Sequence, residues 1–171
     1  TDAFTAITQS FKDSGVGIGE VTGAALALQE RFGVLARETI SFTADLAPVG
    51  SEVGATVAQL EALGAVSNKY SGKGGAALAE AYGRILPTIQ KNALEIVGLF
   101  DQIGQKDIGQ KIGQAFGEGQ TFKALEILGA NYNKLDDAQQ KYIINLVGGR
   151  REAAALIPFL QNNAEYVDGV A

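Results

Sequence analysis

The side chains that could do chemistry in this chain are carboxylates, amines, guanidinium groups and hydroxyls, because the sequence contains no Cys and no His. A thiolate nucleophile, an imidazole base and a metal site of sulfur or imidazole ligands are therefore excluded. An acid–base enzyme would then need a carboxylate among apolar residues, where its pKa rises. No carboxylate stands out in this way: Glu80 and Arg84 form an ordinary i, i+4 pair, and Glu126 falls on the polar side of its predicted helix. The sequence predicts no catalytic residue, no cofactor, no metal ligand and no enzymatic activity.

Two glycine-rich stretches have a superficial likeness to phosphate-binding loops. In the first, Lys73 precedes Gly74 and Gly75, whereas a P-loop places its lysine after the glycines, between a strand and a helix. The second, residues 15–19, alternates Gly with Val and Ile, which is the wrong spacing for a dinucleotide loop. Both stretches are predicted to be breaks between helices.

Glycines spaced by four residues are the next candidates, because this spacing puts small residues on one helical face and lets two helix backbones approach closely. The two sets are Gly15, Gly19 and Gly23, and Gly109, Gly113 and Gly117. The second set is surrounded by Gln and Lys, which is too polar for a bilayer. We expect tight helix packing in water, within the chain or between copies; flexibility and membrane contact are the alternatives.

The sharpest local feature is the run Gly148, Gly149, Arg150 and Arg151. The glycines are expected to end one helix in the left-handed conformation, and the arginines to begin the next. Two cations at a helix start oppose the helix dipole, so water, Glu152, another carboxylate or a partner should compensate them. These four residues, with Gly109, Gly113 and Gly117, are the candidate partner contacts; a solvated corner is the alternative.

The elements that position these residues are predicted to be helices throughout, because apolar residues recur at helical spacing and no period-2 alternation occurs. The fold class is all-α, with about eight short-to-medium helices and Gly-rich connections, forming a bundle or an elongated array. One helix should stop before Pro48, and the next should be capped by Ser51. A long helix over 76–102 should kink or break near Leu86 because of Pro87. Thr121 should cap one further helix and Asp136 or Asp137 another, and the helical pattern after 163 is weak.

Composition and charge limit the function classes. The 171 residues carry a net charge of −5, which argues against specific nucleic-acid binding. Gly supplies 22 residues and Ala is still more frequent, so helices can pack closely but bury little area per residue. No apolar run is long enough to span a membrane. The absence of Met favours a piece of a longer chain. We expect one helical region, 1–171, with sub-regions 1–103 and 104–171.

Two segments resemble phage tail tape-measure proteins. Residues 134–163 read KLDDAQQKYIINLVGGRREAAALIPFLQNN, in which an apolar helix, Gly-Gly-Arg-Arg and an Ala-rich helix follow one another. Residues 50–86 are similar to that family's core region, with the helix GSEVGATVAQLEALGAV, the loop SNKYSGKGG and the helix AALAEAYGRIL.

The resemblance implies a virion structural protein that supports tail-length determination, tail assembly and genome ejection. Its implied location is the tail-tube lumen or tail tip, after assembly in the host cytoplasm. The implied partners are further copies of the chain, as a trimer or hexamer, tail-tube and tail-tip or baseplate proteins, tail assembly chaperones and, transiently, the membrane. A fully helical chain of 171 residues would span only about 260 Å, so we expect the ruler to lie elsewhere in a longer protein. The alternatives are a membrane-active helical module aiding genome passage and a helical adaptor unrelated to phage.

Overall fold

The computed structural model describes residues 2–171, with side chains from residue 3 onward. This part of the chain contains eleven α-helices, one short 3₁₀ helix (Lys12–Ser14) and no strand, so the all-α prediction is confirmed and the count of about eight is wrong. The helices are α1 (Asp2–Ser10), α2 (Ile18–Phe32), α3 (Ala36–Glu52), α4 (Val57–Ser71), α5 (Gly75–Lys91), α6 (Ala93–Gln102), α7 (Lys106–Gly117), α8 (Thr121–Tyr132), α9 (Asp137–Val147), α10 (Arg150–Gln161) and α11 (Asn163–Val170).

Helix α4 is the centre of the fold, because α2, α3, α10 and α11 all pack against it. Eight consecutive residues, 60–67, are buried, so the helix is enclosed on every side over two turns. Small residues make this enclosure feasible. A Cβ added at Gly64 would lie 2.6 Å from Cδ2 of Phe42, so α3 approaches the α4 backbone directly at this glycine.

One buried tyrosine ties three helices together. The Tyr82 hydroxyl on α5 lies 3.0 Å from Oγ of Ser67 on α4 and donates to the backbone carbonyl of Ala155 on α10 over 3.1 Å. Burial raises the pKa of this hydroxyl, so it stays protonated and available as a donor. The ring also packs edge-on against Phe42, with 5.9 Å between ring centroids. A fully buried polar group is satisfied here by contacts between elements distant in sequence.

The single long helix expected over 76–102 is two helices that meet at Asn92. The break is not at Pro87, which lies inside α5, because buried Ile85, Leu86 and Ile89 hold the helix on both sides of the proline. At Asn92, the side-chain amide donates to the carbonyl of Leu146 at the end of α9, over 2.6 Å. Packing therefore outweighs the proline penalty, and a long-range hydrogen bond marks the turn.

Helix α3 also continues through its proline, contrary to the predicted stop before Pro48. Its last turns are held by the core: Gly50 is buried, and a Cβ there would lie 2.9 Å from Cδ1 of Leu60. Ser51 is consequently inside α3 and does not cap α4. The cap is Thr56, whose hydroxyl accepts from the Gln59 backbone N–H while the Gln59 side chain accepts from the Thr56 N–H.

The other predicted helix starts had mixed outcomes. Asp136 caps α9 in a second capping box with Gln139, as expected. Thr121 is wrong as a cap, because α8 begins at this residue and Gln120 precedes it without a side-chain capping bond. The segment after 163 is a helix, α11, because Tyr166 is buried and packs edge-on against Phe159.

A single large apolar cluster runs from Ile7 in α1 to Tyr166 in α11. Helices α10 and α11 contact α4, and α9 and α10 contact α5. Packing therefore crosses the expected division between 1–103 and 104–171, and the division itself stays a prediction. Among the described residues, no helix is both long and apolar enough to cross a membrane.

Candidate functional site

The corner between α9 and α10 is formed by two consecutive glycines with positive φ. Gly148 has φ 148° and ψ −4°, and Gly149 has φ 70° and ψ −156°. Neither residue is in the left-handed helical conformation that was expected, because the chain must leave one helix and begin the next within two residues. Both values favour glycine, since other residues rarely adopt positive φ. The Gly149 N–H closes the corner by donating to the carbonyl of Ile144 over 2.9 Å.

Gly148 has a second role, which is to leave room for Glu152. A Cβ added at Gly148 would lie 2.5 Å from Cγ and 3.0 Å from Cβ of Glu152. The Glu152 side chain therefore runs directly past the glycine. Any larger residue at 148 would have to displace it.

Glu152 is buried and forms a two-pronged ion pair with Arg84 on α5. Nε of Arg84 donates to Oε1 over 2.7 Å, and Nη2 donates to Oε2 over 3.2 Å. The hydrogen bonds to Glu152 raise the pKa of the Arg84 guanidinium above its ordinary value. Glu80 accepts a further bond from Arg84 over 3.1 Å, which confirms the predicted i, i+4 pair. The corner is thus joined to α5 by charge-assisted hydrogen bonds.

Glu152 supplies the compensation expected at Arg151. This carboxylate lies in the first turn of α10, where it complements the helix dipole, and Nε of Arg151 is 3.8 Å from its Oε1. Arg150 and Arg151 are both exposed. Arg150 lines an open cleft of about 460 Å³, with Tyr132 and Ile144 among its other lining residues. Two cations and the edge of a cleft with both polar and apolar lining residues therefore face solvent at the corner.

The α7 glycines differ from one another. Gly109 is buried against α6, where an added Cβ would lie 2.9 Å from Oδ1 of Asp101 and 3.3 Å from the carbonyl oxygen of Val97. At Gly113 an added Cβ would make ordinary contact with Val97, and at Gly117 it would meet open space. Close packing within the chain is therefore observed at Gly109, and Gly117 remains available to a partner.

Gly15, Gly19 and Gly23 were predicted to share one helical face, and this prediction is wrong. Gly15 lies outside α2, at the end of the 3₁₀ helix, with φ 70°. Gly19 and Gly23 lie in α2, and an added Cβ would meet nothing within 4 Å at either position. The predicted break between helices is confirmed for residues 15–17 only, because α2 begins at Ile18.

The stretch around Lys73 is a turn between α4 and α5. The Gly75 N–H, which a phosphate loop would direct at its ligand, donates to Oε2 of Glu38 over 2.6 Å. A Cβ at Gly75 would lie 2.3 Å from the Glu38 carbonyl oxygen, so this glycine permits α5 to begin against α3. A Cβ at Gly74 would also approach Glu38, so packing against α3 accounts for both Gly74 and Gly75.

The prediction that no carboxylate lies among apolar residues is wrong. Glu61 on α4 is 1% exposed, and its Oε2 has no hydrogen-bond partner among the side chains that the structure describes. Burial raises its pKa from 4.5 to about 8. Glu126 is half-buried and accepts hydrogen bonds from Tyr166 and Gln59. The signal was present in the sequence Leu60-Glu61-Ala62-Leu63, where a carboxylate interrupts an apolar stripe.

Within residues 3–171, no three acidic side chains are grouped closely enough to hold a metal ion. Comparison with protein-family models, with curated proteins and with solved structures finds no match to this chain.

Proposed function

We propose that this chain is a helical core segment of a phage or prophage tail tape-measure protein. It acts without catalysis, through contacts with tail-tube, tail-tip and chaperone proteins and with its own copies. The supporting observation is that the two segments that resemble this family pack against each other. Arg84, in the first segment, pairs with the buried carboxylate of Glu152, in the second.

A second contact between the two segments is consistent with this proposal. Ser67 and Tyr82 belong to the first segment, and the Tyr82 hydroxyl donates to the carbonyl of Ala155 in the second. Residues that carry the resemblance thus lie at one shared junction of α4, α5 and α10. A pattern spread over a hundred residues of sequence would then specify one structural unit.

The proposed role is that of a compact body attached to a ruler located elsewhere. The longest helices, α3 and α5, contain 17 residues, which corresponds to about 25 Å of length. A length-determining element needs an extended helix, whereas these helices fold back on α4. The exposed pair Arg150 and Arg151 is the surface that we assign to partner contact.

The experiment replaces Arg150 and Arg151 in the full-length gene that encodes this chain, within the genome of the phage. We expect Arg150→Ala/Arg151→Ala to reduce the number of complete tails seen by electron microscopy. The matched control is Lys106→Ala/Lys111→Ala, which removes two exposed cations from α7. Normal tails from the arginine variant would contradict a partner-contact role for Arg150 and Arg151 and would favour the solvated corner.

The location is tested separately on purified tails. Mass spectrometry of tails from the unmodified particle should detect peptides from residues 1–171. Their absence from purified tails would contradict the tail assignment as a whole, whatever the arginine variant does.

A further inference from the structure

A cleft of about 530 Å³ lies where α2, the start of α4 and the end of α11 meet. The residues that line it include Val16, Val57 and Val170, which are apolar, and Glu20 and Glu61, which carry carboxyl groups. No Lys or Arg is among the described residues that line it. The cleft therefore combines apolar walls with negative charge and has no cation of its own.

Glu61 is the unusual group in this cleft. It projects from the central helix, is 99% buried, and leaves Oε2 without a hydrogen-bond partner among the described side chains. A buried carboxyl oxygen without a partner is costly, and folded proteins satisfy nearly all such atoms. Because no residue of the described chain satisfies Oε2, a donor that enters the cleft and displaces the atoms now covering Oε2 would remove this cost.

We propose that the cleft binds the side chain of a lysine presented by another protein, with its ammonium group donating to Glu61. Lysine fits the lining because its four-carbon stem can lie along Val16, Val57 and Val170 while its compact charge reaches the carboxylate. Glu20, which is exposed, adds negative charge to the same cleft. This inference is independent of the tail assignment.

Binding should be coupled to proton release. The raised pKa of Glu61, about 8, keeps the carboxyl group protonated at pH 6, whereas the ammonium group needs the carboxylate. Affinity is therefore expected to rise about tenfold per pH unit from pH 6 to 8 and then to level off. Glu20 is the other titratable side chain in the lining.

The test is an NMR titration of the 171-residue chain with Nα-acetyl-lysine amide as the probe. Saturable shifts are expected at Val16, Val57 and Val170. Two matched probes remove the charge and keep the stem: the norleucine analogue and the Nε-acetylated lysine. If either binds as tightly as lysine, or if potassium chloride competes as well as the probe, the proposal is wrong.

The matched variants are Glu61→Gln, which is close in shape and cannot ionise, and Glu95→Gln, which changes an exposed carboxylate on α6. We expect at least a tenfold loss of affinity in the first and no change in the second. The unmodified protein supplies an independent readout, since saturating lysine amide should lower the pKa followed at the Glu61 carboxyl carbon. Equal binding by both variants, an unmoved pKa or no saturable shift would each overturn the proposal.

Discussion

Arg84 and Glu152 are 68 residues apart in the chain, yet Nε of the first lies 2.7 Å from Oε1 of the second. The carboxylate is buried, and the guanidinium is partly exposed. One ion pair therefore fixes the start of α10 against α5, immediately after the Gly-Gly corner. The position of Arg150 and Arg151 on the surface depends on this anchor.

Removing the anchor should destabilise the fold more than removing its exposed neighbour. Arg84→Met leaves the Glu152 carboxylate buried without its cation, and an unpaired buried charge is strongly unfavourable. Glu80→Ala removes only an exposed partner of the same arginine. Urea denaturation should give a clearly lower midpoint for Arg84→Met and a midpoint close to the original for Glu80→Ala. Equal midpoints would mean that the Arg84–Glu152 pair contributes nothing.

The corner glycine should not tolerate a side chain. Gly148→Ala places a Cβ 2.5 Å from Cγ of Glu152 and also forces a non-glycine residue to positive φ. We expect a loss of about 2 kcal/mol in the free energy of unfolding. In a Glu152→Ala background the contact with Cγ is removed and only the 3.0 Å contact with Cβ remains, so the same substitution should cost less. If the cost is the same in both backgrounds, the contact with Cγ of Glu152 contributes nothing to it.

Two glycines in helix interiors should respond to alanine in opposite directions. At Gly64 the added methyl group would meet the Phe42 ring, and overpacking of this kind costs about 1–3 kcal/mol. At Gly23 nothing lies within 4 Å, so alanine should stabilise α2 by about 0.5–1 kcal/mol through helix propensity. Thermal and urea unfolding of the two variants provide the measurement. A stabilised Gly64→Ala would show that α3 and α4 are not in close contact.

Glu61 should make stability fall as pH rises from about 4.5 to 8. The folded chain holds this proton more tightly than the unfolded chain, because burial raises the pKa to about 8 from 4.5. Unfolding releases the proton within that window, so the free energy of unfolding decreases by up to about 1.4 kcal/mol per pH unit.

The comparison is with Glu61→Gln, which removes the titration and keeps the shape. The variant should match the unmodified protein near pH 5 and exceed it by several kcal/mol at pH 8, as measured by urea unfolding. Glu95→Gln serves as the control for loss of one negative charge. A constant difference between Glu61→Gln and the unmodified protein across this range would contradict the raised pKa.

The all-α class was predictable from the sequence because it depends on the local spacing of apolar residues. The Asp136 cap was also predictable, because a capping box involves residues only three positions apart. The helix ends at Pro48 and Pro87 were not. Local chemistry argues for a break at a proline, but buried neighbours such as Leu46 and Ile89 hold the helix together across it. The break at Asn92 depends on a carbonyl from α9, which no local pattern contains.

The candidate corner was recognisable because glycine and arginine runs are visible in one dimension. Its anchor was not, since Arg84 and Glu152 each look like ordinary helical surface residues when read locally. Glu61 was missed for a related reason. Helical periodicity assigns buried positions to one face of a helix, whereas α4 is enclosed on all sides over residues 60–67, so its polar positions there are buried as well.

The enclosure of α4 has a consequence for synthesis. The helices that cover it include α10 and α11, which are made 80 or more residues after it. Helices α2 and α3 precede α4 and can already pack against it. At about 5–20 residues per second, the ribosome leaves the α10 and α11 side of α4 uncovered for several seconds while the rest of the chain emerges. During that interval the nascent chain exposes apolar side chains of α4 that can associate with other proteins. Its safe completion would then depend on how quickly the last two helices arrive.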